Sequence, residues 1–134
     1  MARDTVYPAN PHALYDEHGY SPAVRAGGLL FVSGQVGARA DGTPEPELAD
    51  EVRLAFANLG DVLEAAGRTF DDVVDMTLFA LDPEGAFPTI LPVLREYFPG
   101  KPYPALTFPG VHWLAGFRFE IKAVAKLPQE AAHG

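Results

Sequence analysis

The stretch from Phe117 to Lys126 restricts most strongly what this chain can become. Phe117, Phe119, Ile121, Ala123 and Ala125 alternate with Arg118, Glu120, Lys122, Val124 and Lys126, so an extended backbone here has one apolar face and one mostly polar face. A strand of this kind needs a second layer for its apolar side. The chain supplies one between Leu48 and Ala66. There Leu48, Val52, Ala55, Phe56, Leu59, Val62, Leu63 and Ala66 recur at three- and four-residue intervals and predict a helix with a single apolar stripe. Gly67 is placed to end that helix, and Gly60 inside it predicts close packing against a sheet.

The remaining segments fit around that pair. Val24 to Gly28 and Leu29 to Gly37 read as two strands joined by a Gly27-Gly28 turn. Asp41-Gly42 centres a polar turn. Val73 to Leu81 predicts a long strand, and Asp82-Pro83 has the form of a helix start. Ile90 to Phe98 has helical spacing, with Pro92 requiring a late start or a kink. Three prolines in "PYPALTFPGV" confine any strand there to a short, bulged or edge position. Residues 1–20 show no sustained periodicity. The order predicts an α+β fold over residues 1–134, a mixed β-sheet with two helices packed on one face. The other face would then meet solvent or further subunits, which predicts an oligomer.

Bulk properties narrow the function. A chain of 134 residues supports one core. A net charge of -8 offers neither the positive field nor the counterion release that nucleic-acid binding needs, so no nucleic-acid partner is expected. With no cysteine, thiolate metal sites and thiol nucleophiles are excluded. No apolar run approaches the roughly 18 residues of a membrane span, and the start "MARDTVYPAN" leads into no apolar signal segment. A cytoplasmic protein without a membrane partner is expected. His12, His18 and His133 are scattered without zinc-site spacing, so no metal is expected. "GGLL" and "PGV" lack the strand-loop-helix context of a phosphate loop, so no nucleotide cofactor is indicated.

Four segments carry a resemblance. "YSPAVRAGGLLFVSGQVG" (20–37), "NLGDVLEAAG" (58–67), "DDVVDMTLFALD" (71–82) and "FEIKAVA" (119–125) resemble the reactive-intermediate deaminases, the RidA/YjgF family, over about residues 18–127. The resemblance implies a chorismate-mutase-like fold, assembled as a homotrimer with a barrel-like sheet core and ligand clefts between subunits. In the deaminating branch it implies a carboxylate that orients water, matched by Glu120, and strand residues matched by Ser33 and Gly34. An early tyrosine is matched by Tyr20. The family's carboxylate-clamping arginine falls at Leu106, which cannot make a bidentate contact. The helical Gln, Asn and Tyr positions of the family fall at Glu51, Leu91 and Leu94.

Candidate roles follow. Glu120 is a water-orienting or proton-moving carboxylate, or a glutamate paired with Arg118 or Lys122. Arg118, on the same strand face, is a relocated anion clamp or an ion-pair partner. His112 is a proton-transfer group or an exposed loop histidine. Tyr20, Ser33, Gly34, Leu106 and Trp113 are substrate-binding candidates, with Trp113 open to a core or interface role. Glu51 leaves the helical stripe and is expected in solvent, with a reserve acid role. Three functions stay open for a small-molecule metabolite: hydrolysis of an imine or enamine C–N bond, lyase, isomerase or tautomerase chemistry on an uncharged or aromatic compound, and ligand binding without turnover.

Overall fold

The structure is a computed structural model describing residues 2–128; the polar C-terminal tail, including His133, lies outside the described residues. Six strands form one sheet: β1 (Asp4–Val6), β2 (Ala23–Ala26), β3 (Leu29–Val36), β4 (Val73–Ala80), β5 (Ala105–Thr107) and β6 (Phe119–Lys126), in the order β1-β2-β3-β6-β4-β5. The alternating strand β6 sits inside the sheet, antiparallel to β3 and β4, while β5 runs parallel to β4. Three helices accompany the sheet: α1 (Leu14–His18), α2 (Leu48–Ala65) and α3 (Pro83–Tyr97). The mixed sheet and helical layer agree with the expected fold class.

The core lies where the two periodicities meet. Ile121, Ala123 and Ala125 of β6, with Leu30 and Val32 of β3 and Met76 and Leu78 of β4, are buried against Val52, Ala55, Phe56, Leu59, Val62 and Leu63 of α2. Ile90 and Val93 add α3 to the same layer. Gly67, at φ 69°, turns the chain after α2, and the Gly27-Gly28 turn joins β2 to β3. No helix among the described residues is long and apolar enough to cross a membrane.

Four local expectations change. The first twenty residues contain β1 and α1, elements of 3 and 5 residues that are too short to display a period. Helix α3 starts at Pro83 as expected, where the Asp82 side chain accepts the Gly85 N–H at 3.1 Å, but it runs through Pro88 and Pro92 instead of beginning late at Pro92. Each of those prolines lacks one helical donor without ending the helix. Gly60 packs against an aromatic ring rather than the sheet, since a Cβ there would come within 3.2 Å of Phe70.

The fourth change concerns Glu51, which is fully buried rather than solvated. Its carboxylate accepts the backbone N–H groups of Arg118 at 2.7 Å and Phe119 at 3.1 Å, and the Arg118 Nε–H at 2.8 Å. Gly37 makes the approach feasible, because any Cβ there would overlap the Glu51 backbone. The first turn of α2 is thereby fastened to the start of β6.

Among the described residues, the face of the sheet away from α2 is left open around Phe31. Val24, Phe31 and Val124 stand in register across β2, β3 and β6, with Phe31 42% exposed. Glu120, Lys122 and Val124 share that face of β6 by alternation.

Replacing Glu51 with Ala should lower unfolding free energy by about 2 to 4 kcal/mol, since it leaves the Arg118 and Phe119 backbone donors without a partner. Urea unfolding of both proteins checks this; a loss below about 1 kcal/mol would show that water replaces the carboxylate readily.

Candidate active site

Glu120 stands opposite Val36 of β3 and Phe79 of β4. Ahead of Val36, the β3–β6 register shifts between Val32 and Gln35, so that Ser33 and Gly34 together face the single residue Lys122. This is a β-bulge, which re-aims side chains locally. It brings Gly34 beneath the Glu120 carboxyl so closely that a Cβ would lie 2.6 Å from the Glu120 Cδ. A glycine is therefore needed for the carboxyl to rest where it does.

Above that seat is a pocket of about 220 Å³ whose polar lining is Glu120, Tyr20 and His18. Its apolar wall comes from Leu14, Val36, Leu114 and Phe117, a small cluster separate from the main core, with Trp113 at the mouth and 71% exposed. Burial holds the Glu120 carboxyl above the usual carboxylate range, with Lys122 pulling in the other direction. Burial, and secondarily the Glu120 charge, likewise raises the Tyr20 phenol. A carboxyl raised this way exchanges protons nearer neutrality than an exposed one does.

Tyr20 owes its position to a set of buried groups. Gly19, at φ 75°, ends α1, and the N–H groups of Gly19 and Tyr20 both reach the Tyr15 carbonyl at 3.0 Å. The Tyr15 ring meets Tyr20 edge-on at 5.1 Å and stacks on His12 at 4.1 Å. Its hydroxyl donates to Gln35 Oε1 at 2.8 Å, and Gln35 Nε2 donates to the Ser33 carbonyl at 3.1 Å. On the other side of Tyr20 opens a cleft of about 540 Å³, lined also by Arg3, Tyr7, Asp16 and Ser33.

Of the residues singled out in the sequence, Glu120, Tyr20, Gly34 and Trp113 meet in one pocket. Ser33 lines the neighbouring cleft, and its hydroxyl donates to the Ser21 carbonyl at 2.6 Å. Arg118 is directed away: besides Glu51, its Nη2 donates to the carbonyls of Glu45 and Pro46 at 3.2 and 3.1 Å. Its expected place beside Glu120 is thus taken up by pairing with α2, because the buried Glu51 carboxylate is the stronger partner for a guanidinium at that point. His112 is exposed and outside the pocket lining. Leu106 lies on β5 opposite Met76, 47% exposed and likewise outside it. His18 was missed as a site residue. The signal available for it was its place two residues before Tyr20, across a glycine that folds the two together.

Residues 10–127 match the family described as Endoribonuclease L-PSP. The chain is 57% identical over 130 residues to the RutC family protein YjgH of Escherichia coli (strain K12), covering 97% of this chain and 99% of that one. It is 35% identical to the 2-iminobutanoate/2-iminopropanoate deaminase of Dermatophagoides farinae, over 78% of this chain and 83% of that one. The solved structure of protein YJGH superposes with a TM-score of 0.93 at 56% identity, covering 97% of this chain and all (100%) of that one.

Glu120 gives a pH signature. Its folded pKa is raised, so the fold binds its proton more tightly than the unfolded chain does, and stability falls as pH rises from 4.5 through the folded pKa. The variant Glu120→Gln should therefore gain stability relative to the parent between pH 4 and pH 7. Urea midpoints at the two pH values test this, and an unchanged difference would show the carboxyl to be freely solvated.

Proposed function

The chain belongs to the Endoribonuclease L-PSP family, and from that premise we propose that it is a small-molecule enzyme hydrolysing an imine or enamine C–N bond. The observation that carries this reading is the Glu120 carboxyl, raised by burial and seated on Gly34 in a pocket otherwise built from apolar groups, Tyr20 and His18. As a carboxylate it takes a proton from water attacking the C=N carbon. Apolar walls suit a small substrate and keep bulk water from the intermediate. The net charge of -8 supports a metabolite rather than RNA as the partner.

A second reading has its own observation. Among the described residues no lysine or arginine lines the Glu120 pocket, and Leu106 stands where the family resemblance places an arginine for carboxylate binding. An uncharged or aromatic substrate fits such a pocket, with Glu120 moving a proton in lyase, isomerase or tautomerase chemistry. Ammonia release from a panel of carboxylated and uncharged imines separates the readings. The first expects release that falls at least about 100-fold in Glu120→Gln with the association state unchanged. Unchanged turnover in that variant removes Glu120 from the chemistry, and no release from any imine removes the hydrolase.

The uncovered row Val24, Phe31 and Val124 supports a homotrimer with this face turned inward. A charge at its centre, in Phe31→Lys, should shift sedimentation equilibrium from trimer to monomer. A parent protein sedimenting as a monomer would overturn the assembly.

A further inference from the structure

Hydrolysing a C=N bond requires two proton movements, one from water and one to nitrogen, whereas the reading above uses a single carboxyl. Resting on that reading, we propose that His18 is a second catalytic residue, the proton partner of Glu120 across the same pocket. His18 and Glu120 line one cavity of about 220 Å³, which Tyr20 lines as well. His18 is the last residue of α1, and the left-handed Gly19 folds the chain so that the His18 and Tyr20 ring centroids lie 6.5 Å apart. Glu120 approaches from β6 and is close enough to Tyr20 for its charge to raise the phenol. The other charged groups nearby are Asp16 and Glu17 on α1 and Lys122 beside Glu120 on β6. His18 is solvent-accessible, so it can exchange its proton with bulk water, while Glu120 sits deeper. An imidazole is the side chain best suited to donate and accept near neutral pH.

The proton balance closes over two steps. Water oxygen bonds to the C=N carbon while its proton passes to the Glu120 carboxylate. The C=N π pair moves to nitrogen, which takes a proton from the His18 imidazolium, giving a neutral carbinolamine. The C–N bond then breaks as the hydroxyl oxygen forms the carbonyl. The hydroxyl proton returns to His18, Glu120 protonates the departing nitrogen, and ammonia leaves with both residues restored.

Two measurements on the full chain test the pair. In His18→Gln, kcat for ammonia release should fall about 100-fold with KM nearly unchanged, and added imidazole should restore part of the rate. Unchanged kcat, or a loss that imidazole does not restore, overturns the catalytic role. Independently of turnover, the His18 Cε1–H resonance should shift at fixed pH in Glu120→Gln. An unmoved resonance overturns the pairing. If the parent releases no ammonia while the resonance shifts, the hydrolase reading fails and the proton pair stands.

Discussion

The Glu51 carboxylate decides where β6 begins. It is removed from water and satisfied by two consecutive backbone N–H groups and a guanidinium, all supplied by Arg118 and Phe119. A buried charge with fewer partners would be strongly unfavourable, so the contact fixes both elements rather than merely joining them. Glu120 follows Phe119 directly. Because alternate side chains of a strand face opposite ways, a one-residue slip of β6 would carry Glu120 to the helix side. The placement of the pocket's carboxyl is thus set by a different carboxyl, reached from α2.

That arrangement determines the electrostatic character of the pocket. Arg118 is close in sequence to the site, yet its guanidinium is committed to Glu51 and two carbonyls. The pocket is left with a desolvated acid, a phenol and an imidazole among hydrocarbon. Arg3 belongs to the neighbouring cleft, beyond Tyr20. Two cavities therefore share one aromatic wall, and Tyr20 is held there by α1 and the Tyr15–Gln35 hydrogen bond.

Much of the scaffold was legible because it rests on long periods. The stripe of α2 and the alternation of β6 each extend over several repeats, and both elements formed where expected. Helix α1 and strand β1 were not legible, since a period cannot be recognised within five residues or three. Glu51 was misplaced because its position off the stripe suggested solvent, and only the close approach allowed by Gly37 reveals a buried partner. In the candidate pocket, Glu120, Tyr20 and Gly34 are the residues to which the family resemblance points. It does not point to His18, whose signal in the sequence is its place across Gly19 from Tyr20. Arg118 shows the reverse failure: correct proximity in sequence, with its side chain claimed by another element.

The bulge in β3 also has a meaning in terms of chain length. Its pairings on both sides are regular: Val32 opposes Ala123 before it, and Gln35 and Val36 oppose Ile121 and Glu120 after it. Removing one residue of the Ser33–Gly34 pair would leave every one of those pairings possible in a single unbroken register. Sheet and site are therefore encoded differently here. The sheet depends on which residue types alternate, whereas the hollow beneath Glu120 depends on a residue count. One codon gained or lost at this point could create or erase the hollow while the surrounding ladder kept its partners.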